Sequence, residues 1–336
     1  MRVIVYLPFV LSALVAILGP RMASRMPPRT GTRLLLAAAA GSAATMLLTL
    51  SLLAWTLIAP LPLVAAVGAW SGDHLHHDDP VPAQAAKAAC VILALLACTV
   101  TVAAARRLRA LHHVRQEGRQ LGNGRLVVID QPDLEAFAIP TGDEHHGRIV
   151  VSTGMLRTLT PDECRVLLAH EAAHLDHAHH RYRTLATLIT AANPILLTLP
   201  AAIHHLTERW ADEAAAATTD DRHLTARALA RAALAAHEAK RRPSPGGAVL
   251  CFGQTGVGNR VRALLADTPP RRPATATLLI ALLAASLLSS AEAGRDSAQL
   301  LTQARDHYHA RPVRISVAVR HEARHLLAVV DHRLHH

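Results

Sequence analysis

Aromatic residues are scarce in this chain of 336 residues, at only 3% of the total, although half of its residues are apolar. A soluble domain of this length would normally carry more aromatic side chains and fewer long Ala/Leu runs. The composition therefore argues against an ordinary soluble globular protein.

Cysteine is also rare. Cys90 and Cys98 fall inside an apolar run, and Cys164 and Cys251 stand alone. No Cys-x-x-Cys pair occurs, so the sequence supports neither a disulfide framework nor a thiolate zinc site.

The apolar residues are concentrated in four runs, and a bilayer core needs about 20 such residues in a helix. We predict three transmembrane helices before the middle of the chain and a shorter fourth after it, at Val3–Gly19, Leu34–Ile58, Ala88–Ala105 and Ala274–Ala291. The alternatives are a cleaved signal peptide for the first run and buried core helices for the others.

The distribution of arginine predicts the orientation. The loop after the first run holds four basic residues and no acid, namely Arg21, Arg25, Arg29 and Arg33. The loop after the second run holds three aspartates and no Lys or Arg. Basic loops stay in the cytoplasm, which divides the chain into a transmembrane region (1–105), a cytoplasmic domain (106–272), a fourth transmembrane helix (273–291) and a short tail outside (292–336). The net charge of +10 follows from this topology and from attraction to an anionic inner leaflet, so it does not indicate direct nucleic-acid binding.

The cytoplasmic segment begins with short strands. "RLVVID", "AFAIP" and "RIVVS" each predict a strand, and "TGDEHHG" predicts a turn. A helix follows, because Thr160 is a suitable N-cap, Pro161 suits the first helical position and Glu163 completes a capping box.

That helix carries His-Glu-x-x-His. His170 and His174 lie one turn apart on the same face, as two zinc ligands must. Glu171 lies beside them, where a carboxylate can take a proton from a zinc-bound water. We predict that His177, His179 and His180 continue the same helix, mostly as surface or interfacial residues, one of which could orient the substrate oxyanion.

A third zinc ligand is required, and "LTERWADEAAA" offers Glu208. Asp212, four residues later on the same helical face, could accept a hydrogen bond from the free nitrogen of a ligating histidine. The alternative for Glu208 is an ordinary solvated helix carboxylate. Between the two motifs lies an apolar stretch, 184–203, which must turn back on itself if one metal is to be shared. Asn193-Pro194 and Pro200 are predicted to break it. We predict a hairpin or re-entrant pair there.

At these residues the chain resembles the membrane-embedded gluzincin peptidases, of either the HtpX-like or the BlaR/MecR antirepressor type. The resemblance covers about residues 125 to 265 and includes "AFAIP", "GRIVVSTGMLRTLTPDECRVLLAHEAAH", "NP", "ERWAD" and "GVGNRVRALL". It implies an α+β, mainly helical membrane protein whose zinc peptidase domain carries a small β-sheet. One Zn²⁺ per chain would be bound by His170, His174 and Glu208, with Glu171 as the general base. Residues Ala136, Phe137 and Ala138 would form an edge strand that binds extended substrate.

Three spans before the catalytic part and one after it resemble the BlaR type more than HtpX. The substrate would then be a cytoplasmic or membrane protein, such as a transcriptional repressor. The tail lacks lysine, so it cannot carry the Ser-x-x-Lys nucleophile of the drug-sensing members. Two alternatives stay open: an HtpX-like quality-control protease, and a non-enzymatic His-rich metal receptor or scaffold.

A second His-Glu-x-x-His occurs at His321, Glu322 and His325. Only about thirty residues separate it from the last apolar run, which is too short for the strands and cleft of a peptidase. We expect an exposed amphipathic helix there, or adventitious or regulatory metal binding.

Overall fold

The computed structural model describes residues 7–61, 64, 67, 82–120, 124–140, 147–241, 256–266 and 273–310. The second His-Glu-x-x-His and most of the turn predicted at "TGDEHHG" lie outside the described residues. The chain divides into two compact units, one formed by residues 3–49 and 92–290 and the other by residues 1–2, 50–91 and 291–336. All of the predicted zinc-site residues belong to the first unit.

The described part of the chain is mainly helical with one small sheet. Its helices are α1 (Leu7–Ala23), α2 (Pro28–Ile58), α3 (Ala83–Gln120), α4 (Thr153–Thr158), α5 (Pro161–Asp176), α6 (His179–Ala192), α7 (Leu199–Thr219), α8 (Arg222–Arg241), α9 (Val257–Leu265) and α10 (Pro273–Ala310). The strands are β1 (Leu126–Ile129), β2 (Ala136–Ile139) and β3 (Arg148–Ser152). The three predicted strands and the predicted helix after them are confirmed.

Among the described residues, two helices are long and apolar enough to cross a membrane, namely α2 and α3. The other two predicted spans fall on shorter apolar helices, α1 with 17 residues and the Ala274–Leu288 part of α10. Helix α3 continues beyond the predicted end of its span at Ala105 as far as Gln120, without a break. The four transmembrane helices therefore stay a prediction.

The sheet has the strand order β1-β3-β2, with β3 parallel to β1 and antiparallel to β2. The central strand is buried, and Val150 and Val151 are fully enclosed. On the side facing the helices, Ile149 and Val151 pack with Leu167 of α5. Strand β2 is consequently an edge strand held beside α5, as the sequence resemblance implied.

Helix α5 begins where its capping residues predict. The backbone N–H of Thr160 donates to Glu163 Oε2 at 2.9 Å, and the backbone N–H of Glu163 donates to Thr160 Oγ1 at 3.4 Å. The Glu163 carboxylate is buried and also accepts a hydrogen bond from Arg231 of α8 at 3.0 Å. The start of α5 is thereby fixed against α8 as well as by its own cap.

Helices α5 and α7 approach closely because small residues lie between them. Ala215 of α7 is fully buried against Val166 of α5, with Ala228 of α8 in the same cluster. Alanine side chains allow two helix axes to come near one another. This packing brings the face of α7 that carries Glu208 next to the face of α5 that carries His170.

The apolar stretch 184–203 is broken, as predicted, at Asn193-Pro194. Helix α6 ends at Ala192, a 3₁₀ turn covers Pro194–Leu196, and α7 starts at Leu199. The Asn193 side chain accepts from the Ile195 backbone N–H and donates to Ser12 of α1 at 3.0 Å. Pro200 is not a break, because it lies in the first turn of α7, where its missing N–H costs no helical hydrogen bond.

Candidate metal centre

Three of the predicted site residues converge on one point. Nε2 of His170 and Nε2 of His174 are 3.2 Å apart, and the Glu208 oxygens lie 3.8 Å and 3.4 Å from those two nitrogens respectively. Tetrahedral zinc with nitrogen ligands at 2.0–2.1 Å separates a pair of such nitrogens by about 3.3 Å. Two imidazoles and a carboxylate are a donor set that zinc takes, so these residues fit the metal.

Asp212 lies beside His170. Its Oδ1 lies 3.1 Å from Nδ1 of His170, so the imidazole donates from Nδ1 and keeps its Nε2 lone pair for a metal. Burial lowers the pKa of His170, but the hydrogen bond that its imidazole donates to Asp212 and the negative charge of Asp212 outweigh burial, and the pKa is raised overall. Asp212 in turn accepts two hydrogen bonds from Arg260, each of 2.7 Å.

His179 makes the corresponding contact with His174. Helix α5 ends at Asp176, and Ala178 adopts a left-handed conformation with φ of 50°, which turns the chain so that His179 begins α6. Nδ1 of His179 lies 2.8 Å from Nδ1 of His174, and its ring packs against Trp210. The prediction that the following histidines continue α5 is therefore wrong for His179 and His180, which belong to a separate helix. His179 is buried there, whereas most of these histidines were expected to be surface or interfacial residues.

Burial keeps the imidazoles of His174 and His179 neutral, and metal binding by Nε2 of His174 would determine which nitrogen carries its proton. Burial, reinforced by the nearby Arg183, lowers the pKa of His179 to about 3 and keeps its imidazole neutral. Burial also holds the pKa of His174 well below its ordinary value. With the Nε2 lone pair of His174 directed at a metal, its Nδ1–H donates to the bare Nδ1 of His179.

Two arginines surround the carboxylate of Glu208. Arg183 donates to Oε1 at 2.6 Å, and Nη1 of Arg260 lies 2.9 Å from Oε2. Burial raises the pKa of Glu208, but Arg260 and the other neighbouring cationic groups reverse that effect and bring the pKa well below its usual range. Glu208 is therefore ionised, as a metal ligand must be, and it is not the solvated helix carboxylate that the sequence left open.

Glu171 lies beside the ligands, buried at 4% exposure. Burial raises its pKa to about 7, because a carboxylate loses hydration there and the charge of Glu208 is close. A carboxyl group with a pKa near neutrality can both accept and return a proton. The role of general base is consistent with this environment.

The ligands open onto a cleft of about 220 Å³. One wall is β2, with Ala136, Phe137 and Ala138, and the floor includes His170, Glu171 and Glu208. Since β2 pairs only with β3 within the described sheet, its other edge is available for backbone hydrogen bonds.

The structure thus brings together all five predicted zinc-site residues: His170, Glu171, His174, Glu208 and Asp212. Arg183, Arg260 and His179 contact them but were not predicted. Arg260 lies in "GVGNRVRALL", which the resemblance had already marked, so a signal for it existed. No sequence signal indicated the contacts of Arg183 and His179, because the turn at Ala178 and the packing of α6 on α7 determine their partners.

A helix with His-Glu-x-x-His whose third ligand comes from a second helix is the arrangement of gluzincin-type zinc metallopeptidases. Residues 103–239 match the sequence model of peptidase family M48. This part of the chain is therefore similar to the peptidase M48 domain.

The relatives include a protease HtpX homolog of Nitrosomonas europaea, 33% identical over 99 residues, which are 29% of this chain and 32% of that protein. Protease HtpX of Alkalilimnicola ehrlichii is 33% identical over 96 residues, or 28% of this chain and 30% of that protein. Protease HtpX of Vibrio cholerae is 41% identical over 68 residues, which are 19% of this chain and 23% of that protein. The chain thus spans a third or less of the length of these relatives. No solved structure matches.

Proposed function

We propose that this chain is an integral membrane zinc endopeptidase. The observation that carries the proposal is the convergence of two imidazoles and a carboxylate beside the buried Glu171, at the floor of a cleft bordered by an edge strand. The M48 match and the protease names of the relatives support it. The activity assigned to the chain is hydrolysis of peptide bonds in a protein substrate.

His170, His174 and Glu208 would hold the metal. Zinc bound there supplies Lewis acidity, which polarises a carbonyl and lowers the pKa of water to about 7. Strand β2 aligns the substrate backbone through hydrogen bonds. Glu171 takes the proton from the attacking water and then delivers it to the leaving amine, a role for which its raised pKa suits it.

Membrane insertion is part of the proposal. Only 11% of the residues in the most apolar 18-residue segment of α3 are buried. Val91, Ile92 and Leu95 are exposed. A core helix of a soluble protein would bury such residues, whereas lipid would cover them. The Arg-rich connection between α1 and α2 supports an outside N-terminus and a cytoplasmic catalytic domain.

We infer a regulatory role of the BlaR/MecR type, with a cytoplasmic or membrane protein such as a repressor as the substrate. The order of apolar helices, α1 to α3 before the catalytic part and α10 after it, favours this role. The similarity to HtpX favours the second candidate, a quality-control membrane protease. The number of proteins that accumulate in cells carrying an inactive variant separates the two: one or a few for the regulator, many for quality control.

The proposed catalysis is tested by Glu171→Gln in the purified full chain with zinc and fluorescent casein as substrate. We expect the variant to retain zinc and to lose nearly all cleavage, since the amide cannot accept the proton. Glu238→Gln, an exposed glutamate of α8, is the matched control and should cleave normally. Unchanged cleavage by Glu171→Gln would refute the mechanism, and zinc binding by the unsubstituted chain without proteolysis of any substrate would favour the metal receptor.

A further inference from the structure

The cleft has a cationic wall that the proposed reaction does not use. Arg107 of α3, His180 and Arg183 of α6 line it together with β2. Among the described lining residues, the carboxylates are Glu171 and Glu208, both of which belong to the zinc site. The wall therefore carries two guanidinium groups: Arg183 is paired with Glu208, whereas Arg107 has no carboxylate partner within the described part of the chain.

Arg107 is held in place without an acidic partner among the described residues. Its Nε donates to Thr184 Oγ1 at 2.9 Å, which orients the planar guanidinium towards the cleft that it lines. The neighbouring Arg183 is close enough to repel it. Asp143 and Glu144 lie outside the described residues. An anion placed between two guanidinium groups reduces their mutual repulsion. The planar guanidinium group binds carboxylates well, because its paired N–H donors match the two carboxylate oxygens.

Zinc would increase this excess of positive charge. Without metal, Arg183 and Arg260 balance Glu208 and Asp212. A divalent cation at His170 and His174 would add two positive charges to the cleft. Arg183, which donates to Thr207 and Glu208 and lines the cleft, would then share Glu208 with a stronger cation.

From this juxtaposition we propose that the cleft binds a carboxylate of the peptide substrate between Arg107 and Arg183, beside the edge of β2. The proposal rests on the proposed peptidase function and adds a substrate preference to it. The carboxylate comes from an acidic side chain of the substrate or from the C-terminus of the peptide. Both sources present the same pair of oxygens to the two guanidinium groups.

The test selects binders from a randomised decapeptide library, amidated at the C-terminus, on the full-length Glu171→Gln variant loaded with zinc. We expect Asp or Glu to be enriched at one position. In matched peptides, Glu at that position should bind about tenfold more tightly than Gln. A third peptide, with Gln and a free C-terminal carboxylate, identifies the terminal carboxylate as the source if it binds more tightly than the other two.

Charge reversal provides the decisive comparison. Arg107→Glu should retain zinc, lose the preference for Glu and favour Lys at the same position. Arg109→Glu, the same change at an exposed site on the same helix, should bind like the parent. The proposal would be overturned if no acidic residue were enriched and a free C-terminal carboxylate did not strengthen binding. An unchanged preference in zinc-loaded Arg107→Glu would also overturn it. Cleavage of the selected peptides is measured separately with the unsubstituted chain, so binding without cleavage would refute only the peptidase function.

Discussion

Arg260 offers a direct way to test how the metal site is held together. Its side chain is 1% exposed, and it contacts both Asp212 and Glu208, which are themselves 3% and 7% exposed. Arg260→Gln would remove the positive charge that compensates the negative charges of these two buried carboxylates. Removing one partner of a buried ion pair destabilises a protein by about 3–5 kcal/mol.

The effect should be largest in protein stripped of zinc. A loss of about 3 kcal/mol corresponds to roughly 6–12 °C in the melting temperature of a domain of about 200 residues. With saturating zinc the decrease should be smaller, because the metal replaces part of the missing positive charge beside Glu208. Thermal unfolding of the detergent-solubilised chain, with chelator and with zinc, measures both values.

Arg262 is the matched control on the same helix, since it is exposed and, within the described residues, donates to Asn259 Oδ1 at 2.7 Å. We expect Arg262→Gln to change stability by less than about 0.5 kcal/mol. The reasoning would be refuted if Arg260→Gln unfolded at the same temperature as Arg262→Gln in the stripped protein. It would also be refuted if zinc made the difference between the two variants larger.

Two further expectations concern His174 and the start of its helix. His179→Phe removes the acceptor for the Nδ1–H of His174 and should weaken zinc binding about 10–100-fold in competition with a chromophoric chelator. His177→Phe changes a neighbouring ring that stacks on Trp210 and, within the described residues, has no ring contact or side-chain hydrogen bond with His174, so it should leave zinc binding unchanged. Equal losses in the two variants would contradict the assignment. Thr160→Ala removes the N-cap of α5 and should lower the free energy of unfolding by about 1 kcal/mol in urea while zinc stoichiometry stays at the parent value; full stability would show that Pro161 alone suffices.

Local signals predicted the elements that carry the site. The capping box at Thr160 placed the start of α5, and helical spacing placed His170 and His174 on one face. Asn193-Pro194 indicated the break that allows α7 to return. These features depend on interactions between residues close together in the sequence, so they can be predicted from a single sequence.

The contacts around the ligands depend on packing over longer distances. The turn before His179 uses a left-handed Ala178, where glycine or asparagine would have been the usual signal. The partners of Arg183 and Arg260 are 25 and 48 residues away in the sequence. Nothing in spacing alone distinguishes these arginines from the many exposed ones.

The most direct test of the account is X-ray absorption at the zinc edge of the purified full chain, combined with metal analysis of the variants. We expect two imidazole nitrogens at about 2.0 Å and a carboxylate oxygen at about 2.0–2.2 Å, with this signal lost in His174→Ala and altered in Glu208→Ala. Sulfur scattering at about 2.3 Å, or a spectrum that both substitutions leave unchanged, would contradict the central claim that α5 and α7 share one zinc ion.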